Sequence, residues 1–147
     1  MVESVRLILK NKGSQVWSLA PDATVYEAIV LMSKKNVGAL LVVSEGKLVG
    51  IISERDYARK VILQGKSSIE TLVGEIMTTS VIAVTPGHTV DECMQIMTSN
   101  HIRHLPVLEG EKLVGAISIG DLVKAIISTQ AETIQQMGNY ITGKYPA

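Results

Sequence analysis

The sequence predicts an α/β fold in which two related units pack together as one module about a pseudo-twofold axis. The first observation is an internal repeat: residues 16–62 align on residues 81–127 without a gap, and 16 of the 47 aligned pairs are identical. Such repetition indicates that one structural unit is made twice. The second observation is size, because a unit of roughly 60 residues alone buries too little surface for comfortable stability. The 147-residue chain suits one compact module with two related clefts along its seam.

Each copy is predicted to run strand–helix–strand–strand–helix. In the first copy Pro21 ends a short strand, Thr24 caps a helix whose apolar residues recur at helical spacing, and Glu45–Gly46 forms a hairpin turn. The predicted elements of this copy are a leading helix at 5–9, a strand at 16–20, a helix at 25–32, strands at 39–43 and 48–52, and a helix at 55–63.

The second copy is predicted to repeat this course. Its elements are a helical lead-in at 69–77, a strand at 81–85, a helix at 90–97, strands at 104–108 and 113–117, and a helix from 121 to 128. The predicted organisation is a first domain with the leading helix at 1–68, a second domain at 69–128 and a helical tail at 129–147. The tail is predicted from Ile134, Met137 and Ile141, which continue at helical spacing.

The composition of the chain favours some classes of protein and argues against others. An apolar fraction of 46% and a mean hydropathy of +0.27 indicate buried strands and an apolar surface for another subunit, so a homodimer is expected. No apolar run approaches the ~18 residues that span a membrane, and the first residues do not resemble a signal peptide, so we expect a cytoplasmic protein without a membrane partner. Zero net charge without a basic stripe argues against nucleic-acid binding. A single cysteine, Cys93, excludes an internal disulfide, and no metal cluster is predicted.

Each copy follows its hairpin with glycine, serine and aspartate at intervals of three residues. These are Gly50, Ser53 and Asp56 in the first copy and Gly115, Ser118 and Asp121 in the second. One interpretation is a helix cap, in which serine and aspartate satisfy free amide groups. The other is a nucleoside-phosphate cradle, in which the helix end attracts an anion and the carboxylate accepts hydrogen bonds from a ribose diol. The spacing alone supports both.

Together these motifs resemble a pair of cystathionine-β-synthase-type (CBS) domains, the Bateman module, over about residues 5–128. The resemblance also rests on the pair Thr85–Pro86, the segment IRHLPV at 102–107 and the segment LVG at 113–115. The first copy departs from the pattern, since Ala20 stands in place of the threonine and Leu41 in place of the second proline. The segment ERDYARK at 54–60 resembles stand-alone bacterial CBS-pair proteins.

The resemblance implies two clefts that bind adenosine compounds such as AMP, ADP, ATP, NAD or S-adenosylmethionine, with AMP or NAD expected first. Carried over from the family, the first cleft joins the residues Ser53, Arg55, Asp56, Thr79, Ser80, Ile102, Arg103 and His104. The second cleft joins the residues Ser118, Gly120, Asp121, Ser14, Gln15, Val37, Gly38 and Ala39.

The two clefts are not expected to be equivalent. Arg55, Arg103 and His104 gather beside the first cleft and predict that it holds the phosphate, because charge-assisted bonds to phosphate oxygens are strong. At the matching edge the second cleft offers Gly38 and Ala39 and so lacks a cation.

The sequence thus predicts a regulatory sensor that binds an adenosine nucleotide and changes its shape or partners, acting on an unknown effector protein. One alternative is an interaction module with empty clefts whose main activity is dimerisation, and another is a sensor of S-adenosylmethionine. No catalytic residue is predicted, because no carboxylate pair, triad or metal cluster emerges from the sequence.

Overall fold

The computed structural model describes residues 3–141 of the chain, with side chains as far as residue 137. The helices are α1 (Val5–Lys12), α2 (Val25–Lys35), α3 (Glu54–Tyr57), α4 (Val73–Ile76), α5 (Val90–Asn100) and α6 (Ile119–Ile141). A π-helical turn, Ala58–Ile62, continues α3. The strands are β1 (Ser18–Leu19), β2 (Ala39–Ser44), β3 (Lys47–Ser53), β4 (His104–Glu109) and β5 (Lys112–Ser118). The predicted α/β class is therefore confirmed.

The first copy forms a three-stranded sheet in which β2 pairs in parallel with β1 and antiparallel with β3. The turn between β2 and β3 lies where the sequence predicted it. Glu45 and Gly46 both have positive φ angles, 51° and 76°, as the common two-residue hairpin turn requires. In the second copy β4 and β5 form the equivalent antiparallel hairpin.

The predicted strand at 81–85 is wrong. Only Val84 bridges to β4: its N–H donates to Pro106 O at 3.0 Å, and Leu108 N–H donates to Val84 O at 2.8 Å. In the first copy Leu41 N–H donates to Trp17 O at 3.2 Å and extends the pairing. Pro106 occupies the place of Leu41 in the repeat and has no N–H to donate, so this part of the ladder cannot form.

The predicted lead-in helix at 69–77 shortens to α4. Residues 68–70 instead form a turn, closed by Thr71 N–H donating to Ser67 O at 2.9 Å. This turn packs on the start of α2 through bonds from Val25 N–H to Thr71 O and from Tyr26 N–H to Ser68 O, each at 2.8 Å. Leu72, which is extended, then separates the turn from α4. The last helix, by contrast, runs without a break from Ile119 to Ile141 and includes most of the predicted tail, while residues 142–147 lie outside the described part.

The packing exchanges the lead-in segments between the copies. Val5 and Ile8 of α1 belong to the core of the second copy, and Val73 and Ile76 of α4 belong to the core of the first. The exchange is reinforced by the backbone, since Val5 N–H donates to His88 O at 2.9 Å. The leading helix therefore stabilises the second copy, although its contacts there lie some 80 residues further along the chain. The domain boundaries at 68 and 128 remain predictions.

The main helix of each copy presents the predicted apolar residues to the core. Val25, Ala28 and Met32 of α2 are buried, as are Val90, Cys93 and Met97 of α5. Burial, followed by the nearby Glu92 charge, raises the pKa of the Cys93 thiol to about 11. The thiol is therefore protonated at neutral pH and serves as a small core side chain.

Candidate functional site

The first serine–aspartate motif forms a complete helix cap at the start of α3. Ser53 Oγ accepts the Asp56 N–H at 3.1 Å, and Asp56 Oδ2 accepts the Ser53 N–H at 3.0 Å. The other carboxylate oxygen, Oδ1, lies 3.1 Å from the Lys60 ammonium and accepts the Thr78 hydroxyl at 3.3 Å. Asp56 is thus buried and held by four groups, yet it also lines a cavity.

That cavity is the first cleft, with a volume of about 350 Å³. Seven of the eight residues predicted for it line it, namely Ser53, Arg55, Asp56, Ser80, Ile102, Arg103 and His104. Thr79 does not, and its neighbour Thr78 takes that place because Thr78 pairs with Ile51 and bonds to Asp56. Glu54 also lines this cleft and was not predicted.

The second cleft has a volume of about 560 Å³. Seven of the eight residues predicted for it line it, namely Gln15, Val37, Gly38, Ala39, Ser118, Gly120 and Asp121. Ser14 does not, whereas Lys12 and Trp17 do. The Lys35 ammonium lies 4.2 Å from the centroid of the Trp17 ring and makes a cation–π contact with it. Trp17 also packs against the core of the first copy.

The two clefts share a wall. Gly38, Ala39, Arg103 and His104 line both. The wall is tightly packed at Gly38, where a Cβ atom would lie 3.0 Å from Glu54 Oε1 and 3.5 Å from His104 Cε1. A side chain at residue 38 would therefore push into both clefts.

His104 stands in this wall as a neutral imidazole. Burial lowers its pKa, and the nearby Arg103 and Lys12 charges lower it further, against the opposing influence of Asp121 and Glu54. A neutral imidazole has one donor and one acceptor nitrogen, so it can hydrogen-bond a ligand on either side without adding charge.

The second aspartate is held differently from the first. Asp121 Oδ2 accepts the Ser118 N–H and the Lys12 ammonium, each at 2.8 Å, while no described residue hydrogen-bonds Oδ1. Burial opposes ionisation and is the largest single influence on Asp121, but the bonds from Lys12 and Ser118 outweigh it and hold the pKa of the carboxyl below its usual value. Asp121 is therefore a carboxylate with one oxygen open to a ligand.

The predicted lack of a cation in the second cleft is wrong. Arg103 lines both clefts, and Lys12 reaches the second from the end of α1. Arg55 lines the first cleft alone, with its guanidinium anchored to His101 O at 3.0 Å. Thr78 was missed by a single residue, and Lys12 lies outside the aligned repeat of residues 16–62, so the repeat did not indicate it.

The described part of the chain holds no candidate metal centre. Within residues 3–141 no group of three or more histidine, cysteine or acidic side chains is placed to hold a metal ion. His88 instead accepts the Thr85 N–H at 2.9 Å through Nδ1 and shapes a turn. Across the same described residues, every helix is too short or too polar to span a bilayer.

Comparison with known proteins agrees with this architecture. The CBS domain family model matches residues 13–63 and again residues 73–128. The chain is 46% identical to the mitochondrial CBS domain-containing protein CBSX3 of Arabidopsis thaliana over 148 aligned residues, covering 94% of this chain and 71% of that protein.

Solved structures show the same likeness. A putative signal-transduction protein with CBS domains from Burkholderia ambifaria superposes with a TM-score of 0.84 and 52% identity, covering 86% of this chain and 96% of that one. The CBS domain pair of protein MJ0100, solved in complex with 5′-methylthioadenosine and S-adenosyl-L-methionine, gives a TM-score of 0.78 at 28% identity over 88% of this chain and 99% of that one. The repeat, the paired clefts and these matches together show that the chain belongs to the CBS domain family, of which it carries a tandem pair.

Proposed function

We propose that this CBS pair is a regulatory sensor that binds an adenosine nucleotide, of the AMP or NAD class, in the clefts between its two copies. The observation that carries the proposal is the pair of cavities, each bordered by a serine–aspartate cap and the shared Arg103–His104 wall. Their volumes, about 350 and 560 Å³, lie in the range of small-molecule sites. CBS domains are generally regulatory and non-catalytic, and we propose the same for this chain, acting in the cytoplasm on an effector protein still to be identified.

In the proposed complex, three kinds of group bind different parts of the ligand. The aspartates, Asp56 and Asp121, accept the ribose hydroxyls, and the amide groups that remain unbonded at the starts of α3 and α6 face the phosphate. Arg103 and His104 supply a cation and a neutral hydrogen-bonding ring at the wall that both clefts share. Of the two aspartates, Asp121 has the more accessible acceptor, since Asp56 already has partners on both oxygens.

A second candidate ligand is S-adenosylmethionine. The MJ0100 pair was solved with this compound and with 5′-methylthioadenosine, and both contain the adenosine group that the proposal requires. The remaining alternative, an interaction module with empty clefts, is favoured by the large apolar side chains left exposed on the helical segments, including Ile62, Val123 and Ile127.

Thermal unfolding in the presence of AMP, ADP, ATP, NAD, NADH or S-adenosylmethionine separates these functions. A ligand that binds only the folded chain raises the midpoint of unfolding, by an amount that grows with the logarithm of its concentration relative to Kd. Stabilisation by a phosphate-bearing adenosine compound supports the nucleotide sensor, and stabilisation by S-adenosylmethionine alone supports the second candidate. A flat response to all six compounds contradicts both and leaves the interaction module.

We further propose that the chain acts as a homodimer. The apolar stripes of α2 and α5 are occupied by the core, so they are not free for a partner. The second helical segments of each copy instead expose large apolar residues, among them Ile62, Val123 and Ile127. Covering these residues is the expected role of a second subunit.

Replacing Ile127, which is 59% exposed, by glutamate is expected to shift the dimer toward monomer, because the interface would have to bury an unpaired charge. Ser128→Glu adds the same charge at the next exposed position of α6 and is the control, expected to remain dimeric. Light scattering at micromolar concentrations measures both variants. A monomeric wild type, or an Ile127→Glu variant that dimerises like wild type, would contradict the proposed interface.

A further inference from the structure

We propose that Lys12 makes the second cleft selective for adenosine compounds that carry a negative charge, a specificity that rests on the proposed function. The Lys12 ammonium lies at the edge of this cleft, 2.8 Å from Asp121 Oδ2 and 3.0 Å from Ala116 O. An ammonium has three N–H donors, so these two contacts leave one for an oxygen of the ligand.

The fold fixes where this ammonium lies. Lys12 is the last residue of α1, whose Val5 and Ile8 are buried in the core of the second copy. Two backbone bonds also attach the helix there, from Val5 N–H to His88 O at 2.9 Å and from Arg6 N–H to Pro86 O at 3.0 Å. The ammonium therefore enters the cleft on a helix that the core holds in place, and not on a loose segment.

The first cleft has no equivalent cation. The equivalent segment of the first copy, α4, ends at Ile76, and the residues just after it that line the first cleft, Thr78 and Ser80, carry no charge. Asp56 does have a lysine partner, Lys60, but that ammonium also donates to Ile76 O at 2.9 Å and does not line the cavity. The cation that neutralises Asp56 is thus directed away from a ligand.

The charges that line the two clefts differ accordingly. The second cleft has two cations, Lys12 and Arg103, against one carboxylate, Asp121, and so carries one net positive charge. In the first cleft Arg55 and Arg103 are balanced by two carboxylates, those of Glu54 and Asp56. In a partly desolvated cavity such a difference is strengthened. A phosphate or carboxylate is therefore favoured in the second cleft, and a sulfonium is disfavoured.

Trp17 allows the second cleft to be observed alone. It is the single tryptophan of the chain, and it lines the second cavity and not the first. Its fluorescence during titration with AMP or with adenosine reports occupancy of that cleft, and the two ligands differ only in the phosphate.

The test compares Lys12→Met, which keeps an unbranched side chain of similar length but removes the charge, with Lys10→Met. Lys10 is exposed on the same helix and lines neither cavity, so its variant loses the same charge without touching the cleft. We expect wild type and Lys10→Met to bind AMP about tenfold or more tightly than adenosine, as a hydrogen bond between charged groups implies. Lys12→Met is expected to lose most of this preference, measured as the ratio of its affinities for the two ligands.

The preference of the wild-type chain is also expected to fall as salt rises from 50 mM to 500 mM, a measurement that needs no variant. Equal affinity of wild type for AMP and adenosine, or an undiminished preference in Lys12→Met, would overturn the role of Lys12 and leave nucleotide binding intact. A wild-type chain that binds neither compound would overturn the proposed function together with this inference.

Discussion

Replacing Ile8 by alanine is expected to lower the free energy of unfolding by about 2–5 kcal/mol, a large fraction of the stability of a domain. Ile8 is only 6% exposed and lies in the core of the second copy, although it precedes the first. Its truncation leaves a cavity between α1 and that core. Urea unfolding followed by circular dichroism measures the loss.

Leu7→Ala is the matched control, because Leu7 adjoins Ile8 on the same helix but is 43% exposed. Its truncation is expected to change the free energy of unfolding by no more than about 0.5 kcal/mol. Equal losses in the two variants would contradict the exchange of leading segments between the copies. The comparison therefore tests the packing that brings Lys12 to the second cleft.

Asp121→Ala is expected to weaken nucleotide binding by on the order of 1.5–3 kcal/mol for each ribose hydrogen bond that it removes. The same loss is expected for Asp56→Ala if the first cleft is also occupied. The free energy of unfolding should fall by about 1 kcal/mol, the usual effect of losing a helix cap. Titration calorimetry with AMP measures binding, and chemical unfolding measures stability.

Thr89→Ala separates these two effects. Thr89 caps α5 by accepting the Glu92 N–H at 3.1 Å and lines neither cleft. Its replacement by alanine therefore removes a similar helix cap but no contact with the ligand. We expect Thr89→Ala to bind AMP as wild type does. If both aspartate variants also keep wild-type affinity, then Asp56 and Asp121 act as helix caps and nothing more.

Local patterns predicted the units of this fold well, because they depend on neighbours in sequence. The hairpin turn at Glu45–Gly46 and the caps at Thr24 and Thr89 follow from backbone preferences that each residue carries with it. The repeat then placed both serine–aspartate motifs at the starts of helices. Most residues of the two predicted clefts line cavities for this reason.

The errors arise where distant segments meet. The exchange of α1 and α4 between the two cores depends on tertiary contacts of Val5 and Val73, which leave no mark on the local pattern. Lys12 was missed for the same cause, since its contact with Asp121 spans 109 residues. The wrong strand at 81–85 is different, because Pro106 in the printed sequence already removes the donor that the pairing needed.

A crystal structure of the chain grown with AMP tests the central claim most directly. The proposed function predicts AMP between the two copies, with its ribose hydroxyls within hydrogen-bond distance of Asp56 or Asp121. The role inferred for Lys12 further predicts the phosphate of AMP beside the Lys12 ammonium in the second cleft. Clefts that remain empty at saturating AMP, or AMP bound away from both aspartates, would contradict the account.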